Sequence, residues 1–259
     1  MDNDSFNEPV KTNTLKDFAI TEDTTVYAKW LKKSISFGGS NLDLFYDIIE
    51  DSDGNYIAVG YTNSNDFGII DRYEETANEF DGLIVKFDTE GNVIWNITIG
   101  EIDIENLFSV IQNNEGNYIA VGSSRVWNIN GGGQTKGWIV KIDLNGNIIW
   151  SITTDDRPYD VFKSIVETTD GNYIVAGETY NQDTQSLDAS VIKFDSLGNI
   201  IWDKVFGENE SDSFESIIQD SSGVYIAVGY TYTPTPYSDK TAVIDAWMVK
   251  LDANGEIIW

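Results

Sequence analysis

Four copies of one ten-residue motif, Lys-x-Asp-x-x-Gly-x-x-x-Trp, constrain what this chain can fold into. They run Lys86–Trp95 (KFDTEGNVIW), Lys141–Trp150 (KIDLNGNIIW), Lys193–Trp202 (KFDSLGNIIW) and Lys250–Trp259 (KLDANGEIIW). The tryptophans fall 55, 52 and 57 residues apart. A period of that length marks a repeat architecture, in which no unit buries its apolar surface alone and each stacks on its neighbours.

From residue 34 onward each unit holds four apolar runs of strand length. In the third they are VFKSIVE, YIVAGET, ASVIKFD and NIIWDKVF. Val, Ile, Tyr, Phe and Trp dominate them, as a pleated packed surface prefers, and no segment keeps a helical period. Two of the three turns in each unit are alike. Asp51, Asn113, Thr168 and Asp220 open the first turn and a glycine closes it three residues later; Asp88, Asp143, Asp195 and Asp252 open the second in the same way. An Asp, Asn or Thr bonds its own backbone, two residues turn, and glycine takes φ > 0 as a bulge.

Eight copies of one hairpin signal predict an all-β chain of four tandem, four-stranded antiparallel meanders. Meanders of this size in tandem are β-propeller blades. The expected limits are residues 43–99, 107–153, 161–206 and 214–259, within a repeat region spanning 34–259. The repeated motif also resembles the tryptophan-docking motif that closes each blade of PQQ-like propellers. Asp88, Gly91 and Trp95 match it, although the turn is one residue shorter and lysine replaces alanine. The resemblance implies blade geometry alone, with FSII-like strands innermost and IIW-like strands outermost; no quinone-binding residue is carried over.

Residues 1–33 differ in kind. FAITEDTTVYAKW (Phe18–Trp30) resembles the closing strands of the InlB B-repeat, also called the Listeria–Bacteroides repeat. It covers about the last third of such a repeat and implies a bacterial cell-surface or secreted protein. Because this segment starts near the middle of a repeat and Trp259 falls inside an outer strand, the chain is expected to be a piece of a longer surface protein. The four blades are then expected to form an open arc of a larger ring, joined to remaining blades or domains.

Composition narrows the chemistry. The chain has no cysteine and no histidine, which removes thiol chemistry, the commonest general base and the commonest zinc ligand. Its 43 acids against 16 bases give a net charge of −27, concentrated in the repeats. Such a surface repels phosphate backbones, so no nucleic-acid partner is expected. No apolar run reaches the ~20 residues of a membrane helix, so no membrane insertion is expected. Asp51-x-Asp53-Gly-Asn55 is faintly like a calcium loop but reads better as a hairpin, and neither a cofactor nor a metal site is expected.

The recurring glycines Gly60, Gly122, Gly177 and Gly229 are expected to permit close strand approach, and the tryptophans to pack between blades. Each motif lysine should lie opposite its own tryptophan, with its stem or charge on the indole. The variable connections share the face opposite the tight hairpins, and binding residues concentrate on such loops. The candidate ligand contacts there are the aromatics Tyr73, Trp127, Tyr180, Tyr232 and Tyr237 and the arginines Arg72, Arg125 and Arg157. Acids such as Asp155, Asp156, Asp160, Glu208, Glu210 and Asp212 read by default as solvated surface, and no catalytic residue is assigned.

Three functions compete at this stage. The first is a non-catalytic surface module binding a glycan or protein through the loop face. The second is a glycoside hydrolase using two loop carboxylates. The third is a structural spacer.

Overall fold

The computed structural model describes residues 34–64, 66, 80–100, 104–127, 133–154, 157–207, 210–234 and 242–259. The B-repeat-like stretch therefore lies outside the described residues. Phe37–Trp259 is one of two compact units of the chain, the other being Met1–Ser36.

Among the described residues all regular structure is strand. The first blade is β1 (Asp43–Glu50), β2 (Tyr56–Thr62), β3 (Asp81–Phe87) and β4 (Val93–Ile99). The second is β5 (Ile104–Gln112), β6 (Tyr118–Trp127), β7 (Gly133–Ile142) and β8 (Ile148–Thr153). The third is β9 (Asp160–Glu167), β10 (Tyr173–Asn181), β11 (Ser186–Phe194) and β12 (Ile200–Phe206). Each is an antiparallel meander in chain order. The fourth has β13 (Asp212–Gln219), β14 (Tyr225–Pro234) and β15 (Ala242–Leu251). Its outer strand is reduced to a bridge between Leu251 and Ile257, with Lys250 N donating to Trp259 O and Ile258 N to Lys250 O.

All eight tight hairpins form as expected. Their glycines take φ between 76° and 89°, and each donates its N–H to the carbonyl of the turn's first residue. Both hairpins of a meander lie at one end, so the long connections share the other.

The strands β1, β5, β9 and β13 pack against one another in succession, which makes the FSII-like strands innermost. Each carries a β-bulge at the same place. Register skips Tyr46, Phe108, Lys163 and Glu215. Opposite each bulge stands the YIAVG glycine. A Cβ on Gly60, Gly122, Gly177 or Gly229 would lie 1.8 to 1.9 Å from a carbonyl oxygen of the inner strand. These glycines thus serve close strand approach, and the bulge they permit turns one residue per blade out of the ladder.

Blades meet through one repeated seam. Ile57, Val59 and Ile84 of the first blade pack on Leu107, Val110, Tyr118, Ala120 and Val140 of the second. Ile119, Val121 and Ile139 of the second pack on Phe162, Ile165, Tyr173 and Val175 of the third. Ile174, Ala176 and Val191 of the third pack on Phe214, Ile217, Tyr225 and Ala227 of the fourth. Nearly all of these side chains are under 3% exposed.

The tryptophans lie in these seams. Trp95 Nε1 donates to Leu144 O and Trp202 Nε1 to Ala253 O, both in the next blade's second hairpin. A Cβ on Gly146 would press on Trp95 at 3.3 Å, and one on Gly255 on Trp202 at 3.0 Å.

The motif lysines pair in register with their tryptophans, Lys86 with Trp95, Lys141 with Trp150 and Lys193 with Trp202. Their charges, however, go elsewhere than the indole. Lys86 Nζ sits 2.8 Å from Asp51, donates to Tyr118 Oη of the next blade at 3.0 Å, and lies over that ring. Lys193 repeats this with Asp170 and Tyr225. Lys141 pairs with Glu115, while Asn113 holds Tyr173 Oη. The expected lysine–tryptophan cation–π contact is thus corrected: the ring under the charge is the next blade's tyrosine. The reason is burial, because an ammonium enclosed in a seam needs a carboxylate and an acceptor, and an indole face supplies neither.

Burial works against the charge of Asp51, but hydrogen bonds from Lys86, Tyr118 and the turn amides outweigh it and lower the carboxyl from 3.8 to about 2. Burial raises Tyr118 to about 12.

Two outcomes follow. Lys86→Met should cost about 3 kcal/mol or more, because it leaves the buried Asp51 carboxylate without its cation. Lys193→Met should cost only about 1 kcal/mol, because Asp170 is 52% exposed and rehydrates. Urea unfolding of both variants measures the gap, and equal losses would remove Asp51 from the account. Gly177→Ala should cost roughly 3 kcal/mol through the clash with Val161 O, with its backbone otherwise able to accept alanine.

Candidate functional site: the loop end of the third and fourth blades

Each inner strand opens with an acid, and a hydroxyl faces it on the second strand: Asp43 with Thr62, Glu105 with Ser124, Asp160 with Thr179 and Asp212 with Thr231. Thr62 Oγ1 donates to Asp43 at 2.5 Å and Ser124 Oγ to Glu105 at 2.9 Å. Asp160 accepts from Thr154 Oγ1 at 2.6 Å. Asp160 and Asp212 are 1% and 3% exposed, which corrects their reading as solvated surface. Burial raises the Asp160 carboxyl, against the hydrogen bonds of Thr154 and Thr179. The sequence signal is Asp/Glu-x-Phe/Leu at each inner-strand start, hidden within the apolar spacing of the strand. In the first three blades these bonds fix the strand ends from which the variable connections leave.

Two grooves open at that end, with Val205 in the lining of both. The larger, about 510 Å³, is lined by Phe206, Gly207, Glu210, Asp212, Thr231, Tyr232, Thr233 and Trp247, and runs down to Ile257 beside the fourth blade's second hairpin. The smaller, about 290 Å³, is lined by Arg157, Pro158, Thr179, Tyr180, Asn181 and Gln182. Of the expected contacts, Arg157, on the connection between the second and third blades, and Tyr180 line the smaller groove, and Tyr232 lines the larger. Trp247 was missed, because it lies inside an apolar strand and reads as core; it stacks on Phe214 at 4.9 Å.

Arg157 forms an ion pair with Asp203 and reaches Asp160 at 3.6 Å. Its charge already offsets neighbouring acids, so a ligand carboxylate would compete with both. Arg125 lies on β6 opposite Ile104 and Thr135, and Trp127 ends the same strand. Arg72, Tyr73 and Tyr237 lie outside the described residues, as do Asp155, Asp156 and Glu208.

Apart from the grooves, the four bulge residues lie on the innermost strands of the arc. On the first two blades this edge is aromatic, with Tyr46 at 4.8 Å from Phe108 and 5.8 Å from Tyr61, and Phe80 beyond. On the last two it is ionic. Lys163 reaches Glu215 at 2.7 Å and Glu178 at 2.9 Å, and lies over the Tyr230 ring. Tyr159 Oη donates to Glu178 at 3.1 Å, and Tyr230 meets Tyr232 edge-on. Burial raises Tyr159 to about 12, with Glu178 adding to it. Burial opposes the Lys163 charge, but its two carboxylates outweigh that and raise its pKa. Among the described residues, no cluster of three or more acids has metal-binding geometry.

Residues 134–259, just under half of the chain, match the family described as Arylsulfotransferase (ASST). No curated protein matches. Among solved structures, a protein of unknown function from Bacteroides caccae is 12% identical with a TM-score of 0.42, over 83% of this chain and 65% of that one. The Neurospora crassa Pan2 WD40 domain is 11% identical with a TM-score of 0.39, over 83% and 64%. The endo-1,5-alpha-L-arabinanase of Thermotoga petrophila RKU-1 is 15% identical with a TM-score of 0.38, over 82% and 57%. The chain thus spans less than two thirds of each of these three structures.

Raised pKa values give stability that is complete below the unfolded value and lost as pH climbs through the folded one. Lys163 starts from 10.5 and Tyr159 from 10.0. The melting temperature should therefore fall between pH 10 and about 12. Lys163→Met should cost about 2 kcal/mol at neutral pH, by leaving Glu178 beneath Tyr159 without its cation, and should flatten that alkaline slope. Calorimetry across the range reads both. On the sequence, the seams and the braces together, the chain is an all-β, β-propeller-type repeat protein.

Proposed function

We propose that this protein is a binding module whose ligand, a glycan or a glycosylated protein, sits in the paired grooves at the loop end of the third and fourth blades. The observation that carries this reading is the larger groove, where Trp247 and Tyr232 line the same space as Glu210 and Asp212. Sugars offer apolar ring faces to aromatic platforms and hydroxyl donors to carboxylates. Tyr180, Asn181 and Gln182 in the adjoining groove add further polar surface. The setting proposed is the bacterial cell surface, which the Phe18–Trp30 resemblance to the B-repeat implies. The motif's likeness to PQQ-like blades is read as shared tryptophan docking without the quinone.

The partial Arylsulfotransferase match raises a second reading, sulfuryl transfer between aryl sulfates and phenols. The chemistry at hand favours it less. A sulfate needs cations, and the Lys163 and Arg157 charges are each met by two carboxylates. The 259 residues also hold no histidine to act as nucleophile or proton carrier.

A glycan-array screen of the chain, followed by titration of the best hit, tests the proposal. Tyr232→Ala with Glu210→Gln should weaken binding at least about tenfold while leaving the melting temperature nearly unchanged. A hit that ignores these changes but is lost on altering Glu90, Asn145 and Asn254 in the tight turns would place the site on the opposite face. Turnover of 4-nitrophenyl sulfate with a phenol acceptor would overturn the non-catalytic reading.

A further inference from the structure

We propose that the seam between the second and third blades binds a small, neutral, flat aromatic molecule of indole size, in the place where the seams on either side hold a tryptophan side chain. The repeats define that place. One residue of the third strand stands across from the YIAVG glycine of its blade: Trp138 across from Gly122, Ser190 across from Gly177 and Trp247 across from Gly229. Counted from the first blade, the first seam holds Trp138 and the third holds Trp247, while the second holds only Ser190. Trp138 is 4% exposed and shares one core cluster with Ile84, Ile97, Ile99 and Leu107. A Cβ on Gly82 would lie 2.8 Å from its ring, and its Nε1 donates to Ser151 Oγ at 2.8 Å. Trp247 stacks on Phe214 at 4.9 Å, and Phe206 meets the same phenylalanine at 5.7 Å.

The second seam is smaller at two positions. Ser190 replaces the indole, and Thr154 stands across from Gly137 where Ile99 stands across from Gly82 and Phe206 across from Ala189. Phe162 leans into the space, since a Cβ on Gly137 would run into its ring, but it does not fill it. A groove of about 310 Å³ remains. Its walls include Gly137, Ile139, Ile152, Thr154 and Phe162. By register these are the counterparts of Gly82, Ile84, Ile97, Ile99 and Leu107 around Trp138. Gly198 and Ile200 line its hairpin end. It shares no lining residue with either groove at the loop end.

The walls name the occupant. Apart from Thr153 and Thr154, every lining residue is apolar or glycine. The Thr154 hydroxyl is already engaged, donating to Asp160 and accepting from Gly137 N. A hydroxyl-rich ligand therefore gains little here, and the net charge of −27 disfavours an anion. A flat ring can lie against Gly137 as the Trp138 indole lies against Gly82, where a puckered ring would collide. Phe162 and Phe194, both in the lining, meet at 74° and offer a third ring an edge and a face. The groove volume suits one small ligand, at the lower end of the range for such sites, about 300–1,000 Å³.

Equilibrium dialysis of indole against the full chain tests this. We expect saturable binding of one molecule per chain. Ile200→Glu sets a carboxylate at the groove's hairpin end and should weaken that binding at least about tenfold. Ile148→Glu makes the same change one blade earlier, where Trp138 already fills the seam, and should leave indole affinity unchanged. Neither variant should lower the melting temperature, because Ile200 is 53% and Ile148 49% exposed. A chain without saturable indole binding overturns the proposal. So does binding that ignores Ile200→Glu, or that falls equally with Ile148→Glu.

Discussion

The blade-to-blade seam is the contact on which everything else in this molecule depends. A four-stranded meander has two apolar faces and cannot shield either by itself. Here each forward face of Ile, Val or Ala closes on a receiving face built around one tyrosine. Its geometry is set by two small details. The indole rests on the next blade's turn glycine, where a Cβ would intrude, and the lysine across the hairpin carries a charge into the buried edge. In the first and third seams that charge is tolerated because a carboxylate from the same blade's first hairpin and a hydroxyl from the next blade meet it together; in the second, Asn113 takes over the hydroxyl. A seam of this kind is specific as well as adhesive, since sliding one blade by a residue would separate all three partners.

The same economy of parts shapes the inner edge. One glycine per blade lets the second strand approach the carbonyl of the first, and the resulting bulge turns a single side chain out of the ladder. The backbone device is fourfold, but the residues it presents are not: tyrosine, phenylalanine, lysine and glutamate. Repetition thus fixes position while leaving chemistry free at the places nearest the axis. The grooves follow the same logic. Acid–hydroxyl bonds hold the strand ends of the first three blades, and the connections that leave them differ. Rigid strand ends below varied loops are what a binding surface requires, because the loops then lose little freedom on meeting a ligand.

The ionic half of that edge also limits what it can bind. Lys163 faces two carboxylates and Arg157 faces two more, so an anionic ligand would have to displace partners already in place. A neutral ligand rich in hydroxyl groups has no such competition. This electrostatic argument, rather than the shape of the grooves, separates the carbohydrate reading from the sulfuryl-transfer reading raised by the family match over the second half of the chain.

The sequence by itself determined the repeat, the four meanders, the eight hairpins and the docking of tryptophan between blades. Each of these is written in local spacing: a turn residue and its glycine, a run of β-branched residues, a tryptophan at fixed distance. It also put the variable connections on one face, since strand order alone decides that. The tertiary structure decided which groups meet across blades. No spacing within one repeat reveals that Lys86 bonds a tyrosine 32 residues later in the next unit, or that Asp160 and Asp212 are buried. Trp247 looked like core until the opening beside Gly207 showed part of it lining a groove. Whether a seam is filled depends on the side chains that meet across it, and only coordinates show a groove where the second seam has Ser190 in place of Trp138 or Trp247.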